Sequence, residues 1–272
     1  MNICHQLLGI DEGAQRLLLI DTEDKKFGWT IDLTDFPCAR DMQRIAWNRA
    51  AIGFERGFFE VDILAGRILR VCENWTGVTA VTRRMDGCTL LTGCNLDGSG
   101  GVNVLTLDAE FNTTNVARRE GDYVRLMRTT PTGSYLLSTN DRILETRADL
   151  TLLREFRADG FEHAWLAERL LDGSTLVSAG YGATMARFDS NGCLTLSYGH
   201  ARDVPLEVKP FFYATFQVLQ GNGILVANWQ GHGADNGKKG QQLLEFNQSG
   251  KLLGGWSDSD RISSLQGLLL LS

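Results

Sequence analysis

The sequence predicts an all-β fold, a six-bladed β-propeller of four-stranded antiparallel blades over residues 1–272 as one domain, its first blade closed by the C-terminal strand. Three observations carry this expectation. First, an apolar, strand-like run ends in a polar turn opened by Asp or its equivalent in LLLI-DTED at Asp21, FFEV-DILAG at Asp62, VLTL-DAEF at Asp108, ILET-RADL at Arg147, MARF-DSNG at Asp189 and LLEF-NQSG at Asn247. Second, successive copies lie roughly forty to forty-six residues apart, the period of a propeller blade, except for a last interval of nearly sixty. Third, counting from Asn247 to the C-terminus and on from Met1 to Asp21 restores about forty-six, as in a closed ring.

Each copy divides into short strands separated by Gly, Asn, Asp and Ser turns, the strand before the polar turn being the third of its blade. In the first blade HQLLGI, QRLLLID and KKFGWTIDL supply three strands, and ISSLQGLLLL at the other end supplies the missing innermost one. Pairing the two ends removes the exposed sheet edges that an open β-protein would carry. The second blade turns between its first two strands at Asn48-Arg49, the third at Asp86-Gly87 and the fourth at Thr132-Gly133. HAWLAERLLDGSTLVSAG and YATFQVLQGNGILVANW provide the same hairpin for the last two blades, at Asp172-Gly173 and Asn222-Gly223. Gly and Asn suit these turns because they tolerate positive φ. The fourth strands are RILRVCENW, TTNVARREG, TLLREFRAD, CLTLSYGH and KLLGGWSD, rich in apolar, aromatic and Arg residues suited to an outer strand.

Length alone leaves one domain or two open, and the repeat selects one. A net charge of −6 with Lys and Arg dispersed gives no footprint for nucleic acid or an anionic membrane, so neither is expected as a partner. The N-terminus lacks a basic segment followed by a long apolar core, and Cys4, Cys38, Cys72, Cys88, Cys94 and Cys193 form no CxxC pair. Both point to reduced thiols in a cytoplasmic protein.

LLLIDTEDKKFGWTIDL, MARFDSNGCLTLSYGH and LLEFNQSGKLLGGWSD resemble the outer hairpins of PQQ-like and arylsulfotransferase-like bacterial β-propellers, in which an Asp-containing turn precedes an aromatic-rich strand. That resemblance implies architecture only. The Trp-docking pattern of quinoprotein dehydrogenases is missing, so no PQQ is expected, and no sulfotransferase catalytic set matches residue by residue.

In a propeller the loops after second and after fourth strands share one face. The surplus residues of the long interval fall in GHARDVPLEVKPFF, after a fourth strand, and WQGHGADNGKKGQQ, after a second strand, nominating the fifth blade as the lip of a pocket. Asp11, Glu55, Asn95, Asn140, Tyr181 and Asn228 end the second strands and should converge on the channel mouth, although Asn and Asp also start turns. His163, read as opening the first strand of the fourth blade, and His232 in the inserted loop are the candidate catalytic residues, since imidazole titrates near neutrality. Trp229, Tyr181 and Tyr213 could stack on a sugar ring, and Arg44 and Arg125 could point charge into the channel. The ring carboxylates and amides are ligands of the kind Ca²⁺ or Mg²⁺ prefers. The loop GHGADNGKKG lacks the spacing of a P-loop.

Two functions follow. The first is a propeller that holds a small polar, carbohydrate-like ligand or a protein partner at the channel mouth. The second is a hydrolase or lyase on a carbohydrate-like or lactone substrate, with His163 or His232 moving protons. Fold does not choose between them, because propellers host both.

Overall fold

The computed structural model describes residues 3–24 and 26–271. The chain opens with β1 (Gln6–Asp11), β2 (Arg16–Asp21) and β3 (Lys26–Asp32). The second blade is β4 (Asp41–Ala46), β5 (Arg49–Phe54), β6 (Gly57–Asp62) and β7 (Arg67–Glu73), and the third is β8 (Val78–Arg83), β9 (Thr89–Cys94), β10 (Val102–Leu107) and β11 (Thr113–Arg119). The fourth is β12 (Met127–Thr129), β13 (Tyr135–Ser138), β14 (Ile143–Thr146) and β15 (Leu152–Phe156). The fifth is β16 (Leu166–Arg169), β17 (Thr175–Ser178), β18 (Met185–Phe188) and β19 (Leu194–Tyr198). The sixth is β20 (Phe212–Val218), β21 (Ile224–Trp229), β22 (Leu243–Phe246) and β23 (Leu252–Trp256), after which β24 (Leu265–Leu270) returns to the first sheet.

Strand order there is β24-β1-β2-β3, and in the other blades it follows the chain. Neighbouring innermost strands touch all the way round, from β4 through β8, β12, β16 and β20 to β24 and back to β4. The fold is therefore the expected six-bladed propeller with the C-terminal strand closing the first blade.

Burial explains the sequence pattern. Middle strands such as β13 and β17 are buried on both faces between adjoining blades, so they read as unbroken apolar runs, whereas an outer strand such as β7 is exposed over much of its length. The recurrent Asp earns its place through the turn it opens. Asp62 Oδ1 accepts the amides of Leu64 and Ala65, both at 3.0 Å, and Asp189 Oδ1 accepts those of Asn191 at 2.9 Å and Cys193 at 2.8 Å. Asn247 does the same for Ser249 at 3.1 Å and Lys251 at 2.9 Å. The copy that carries Arg147 keeps its turn because Asp149 Oδ1 takes over, accepting the Thr151 amide at 2.9 Å.

Two hairpins differ by a residue or two from expectation. Arg49 already belongs to β5, so the second blade turns at Trp47-Asn48. In the sixth blade the left-handed residues are Gly221 and Asn222, with φ of 75° and 60°, while Gly223 is extended.

A charged clasp recurs at alternate blade boundaries. Glu60 on β6, 3% exposed, accepts from Arg70 at 2.8 Å and from Arg83 of the next blade at 2.9 Å, and Arg83 Nε donates to Thr89 Oγ1 at 2.8 Å. Glu145 on β14 repeats it with Arg154 at 3.0 Å and Arg169 at 2.7 Å, and Arg169 Nε donates to Thr175 Oγ1 at 2.9 Å. Glu245 on β22 meets His5 at 2.9 Å across the closing boundary. Removing one partner strands buried charge, so Glu145→Ala is expected to destabilise the protein by about 3 kcal/mol, the lower end for a broken buried pair because Arg154 reaches solvent. A urea midpoint unchanged from the parent would refute the clasp.

Candidate functional site

The loops after second and fourth strands meet around one end of the channel, in a cavity of about 220 Å³ lined by Glu12, Cys38, Arg40, Arg125, His163, Trp165, Tyr181, Phe212, Trp229, His232 and Gln266. His163, His232, Tyr181, Trp229 and Arg125 thus line one cavity.

One wall is aromatic. Tyr181, in the loop after β17, sets its ring edge-on to Phe212 at 4.8 Å and to Trp229 at 6.3 Å, and Trp165 meets Phe212 at 5.3 Å. His163 stands 5.2 Å from Tyr181 on a left-handed backbone with φ of 58°. Burial, and secondarily Arg125, push its pKa below the ordinary value, so at neutral pH it is an uncharged imidazole. His163 lies just before β16, which makes it a residue of the fifth blade, not of the fourth: the hairpin it opens leads into the Asp189 turn. His232, in the loop after β21, is exposed and pairs through Nδ1 with Glu12 Oε1 at 2.8 Å, while Trp229 Nε1 donates to Glu12 Oε2 at 3.2 Å.

Arg125 enters from the segment before β12. Its Nη2 donates to Asn140 Oδ1 at 3.0 Å, its guanidinium lies 5.1 Å from the Tyr123 ring centre, and its Nε is buried without a partner among the described residues. Arg40 Nε donates to the Cys38 carbonyl at 3.1 Å.

The other expected residues hold the scaffold and do not line this cavity. Asn228 is fully buried and ties the two enlarged loops together: its Oδ1 accepts the Phe211 amide at 2.9 Å and its Nδ2 donates to the Gln241 carbonyl at 2.8 Å. One insertion therefore joins the fifth blade to the sixth and the other joins β21 to β22 within the sixth, so the lip is not on the fifth alone. Asn140 positions Arg125, and Asn95 Oδ1 accepts Gly100 N–H at 2.9 Å within its own loop. Glu55 gives its main chain to Pro37 and Val78. Tyr213 is buried, donates to the Gly199 carbonyl at 2.6 Å and has its pKa raised chiefly by burial. Arg44 caps the carbonyls of Leu271 and Trp47 on the opposite face, so it does not point into the channel. Asp11 is wholly buried against Ser263, Ser264 and Arg16.

Among the described residues, no three His, Cys, Asp or Glu are placed to hold a metal ion. Of the oxygen donors considered for Ca²⁺ or Mg²⁺, those of Asp11, Asn95 and Asn228 accept backbone amides and that of Asn140 accepts Arg125, so these four do not form a cation-binding ring.

The sequence reasoning missed Glu12, Cys38, Arg40, Trp165, Phe212 and Gln266 as lining residues. Repeat position held a signal for some of them. Arg125 and Trp165 are equivalent, each donating its amide to the last residue of its neighbouring second strand, Ser138 at 2.7 Å and Ser178 at 2.8 Å.

At the far end of the channel a second cavity of about 250 Å³ is lined by residues including Arg128, Glu168 and Arg169. Arg128 pairs with Asp41 at 2.7 Å and lies 3.9 Å from Glu168, whose carboxyl burial pushes up. Arg169 pairs with Glu145. Its charges are internally matched.

No protein-family model matches the chain, and neither does any curated protein sequence. Solved structures do. A protein of unknown function from Bacteroides caccae is 19% identical with a TM-score of 0.80, the alignment covering 98% of this chain and 99% of that one. A streptogramin B lyase is 9% identical with a TM-score of 0.63, covering 95% and 88%. A catalytically inactive virginiamycin B lyase from Staphylococcus aureus, with quinupristin, is 11% identical with a TM-score of 0.56, covering 84% and 73%. At these identities the likeness extends to the fold. All six cysteines are free, and no helix among the described residues is long and apolar enough to cross a membrane.

Proposed function

We propose that this protein binds a small polar, ring-bearing molecule at the channel mouth. The observation that carries the reading is the convergence of Tyr181, Phe212 and Trp229 on one cavity with Arg, His, Glu and Gln side chains facing the same space. Such a combination, an apolar wall with a few placed polar groups, is how small-molecule sites are built. At about 220 Å³ the cavity lies below the roughly 300–1,000 Å³ of drug-sized sites, which favours a single ring over an oligomer.

A second reading, proton transfer during hydrolysis or elimination, is favoured by one feature. A neutral imidazole, His163, and a carboxylate-paired one, His232, line the same cavity. Two of the similar folds are lyases by name, which is compatible with that chemistry.

A thermal-shift panel of monosaccharides, sugar acids, lactones and simple aromatics should raise the melting temperature for at least one ring compound. Tyr181→Ala should then weaken that compound by roughly fivefold, the value of one aromatic contact. Mass spectrometry of the incubated hit separates the readings: turnover abolished in His163→Ala marks an enzyme, and an unaltered compound marks a binding protein. Silence across the whole panel would sink both.

A further inference from the structure

We propose that the molecule held at the mouth carries a single carboxylate, gripped by Arg125 and Arg40 while its ring lies against Tyr181 and Trp229. Such recognition presupposes that the mouth is the ligand site and adds the charge class of the ligand. The two ends of the channel differ in how their arginines are answered. At the far end Arg128 and Arg169 each face a carboxylate, at 2.7 Å in both cases. At the mouth Arg125 donates to an amide and Arg40 to a carbonyl, and among the described residues no ion pair reaches either.

Arg125 is partly desolvated, which lowers its pKa, and the nearby positive charge of Arg40 lowers it further. An arginine pushed out of water beside a like charge is unfavourable unless something else is gained, and its buried Nε has a free donor. Glu12, the carboxylate among the residues lining the cavity, is occupied by Trp229 and His232. Burial, and secondarily Arg125, lower the pKa of His163 and so disfavour a positive charge there. Among the Arg and Glu side chains that line the cavity, Arg40 and Arg125 against Glu12 leave one surplus positive charge, which suits a monoanion. A guanidinium matches a planar carboxylate with two parallel donors, a geometry Lys does not reproduce.

Calorimetric titration with benzoate and glucuronate, against their uncharged counterparts benzamide and glucose, tests this. The acids should bind more tightly than the neutral compounds, and their affinity should fall as salt is raised. Arg125→Met should weaken the preferred acid by about tenfold or more and leave the neutral counterpart unchanged, with Arg125→Lys only partly restoring it. Arg40→Met provides a second position should the first variant fold poorly. The unliganded Arg125→Met protein should melt no lower than the parent, because relief of like-charge repulsion offsets the lost hydrogen bond to Asn140; a purely structural arginine would lower it.

If benzamide binds as tightly as benzoate, or Arg125→Met and Arg40→Met both leave benzoate and glucuronate unaffected, the anion site is refuted while the ring site stands. Preference for phenyl phosphate over benzoate refutes the carboxylate. If none of these compounds binds and Tyr181→Ala changes no response in the wider panel, the mouth itself is refuted as the site.

Discussion

A chain ending at Arg261 is expected to lose its cooperative thermal transition and to aggregate. The deletion removes β24 and with it Ile262, Leu265, Leu268 and Leu269, each at most 6% exposed. At roughly 2 kcal/mol for each buried side chain, the lost burial is about 8 kcal/mol. A domain's whole stability is only about 5–15 kcal/mol, so the loss is decisive even before the backbone is considered. β1 would also lose the pairing that runs from Leu7 opposite Leu270 to Asp11 opposite Leu265, leaving a long apolar edge free to recruit another chain. The inner ring would break between β20 and β4, which β24 bridges. Circular dichroism melting and size-exclusion chromatography of the truncated protein are the measurements. A monomer melting cooperatively near the parent temperature would overturn the closure.

The architecture was legible because its cause is local and repeated. An Asp, or Asn247 in the sixth blade, whose side-chain oxygen caps the turn after the third strand leaves a recurring mark, and where Arg147 interrupts it, Asp149 restores the chemistry two residues later. Complementary ends were legible for a similar reason: three strands in one blade demand a fourth.

The site was half legible. Position in the repeat brought Tyr181 and Trp229 to the mouth, because loop position follows from strand order. It could not say which polar side chain at a strand end faces the cavity and which turns inward. Asn228 and Asp11 occupy rim positions yet point into the wall, where unsatisfied amides of neighbouring segments compete for their oxygens. Those amides lie 17 and 253 residues away, beyond any local pattern. Arg40 and Glu12 escaped notice because each sits one residue outside a strand, at a position that only the closed ring brings over the channel.

Asp11 shows how a scaffold residue can govern the mouth. Its carboxylate is fully buried and accepts the amides of Ser264 at 2.8 Å and Ser263 at 3.1 Å on one oxygen, and Arg16 Nη2 at 3.0 Å on the other. It therefore latches the segment leading into β24 onto the end of β1. Asp11→Ala strands two buried amides and leaves Arg16 without its carboxylate, and is expected to lower stability by about 4 kcal/mol, from one to three for each orphaned amide. Asp11→Asn should fall between, since an amide oxygen still receives the backbone but its NH₂ faces the guanidinium. The same latch carries the mouth. Ser264 Oγ donates to the Gly231 carbonyl and Ser263 Oγ to that of Gly233, both at 2.6 Å, so the segment held by Asp11 holds the loop on either side of His232. Glu12 N–H in turn donates to the Ser264 carbonyl at 2.9 Å, fixing the partner of His232 and Trp229. Urea unfolding together with ligand titration separates a latch from a contact: a latch loses stability first and affinity with it, whereas an Asp11 that touches ligand would lose affinity in Asp11→Ala at an unchanged unfolding midpoint.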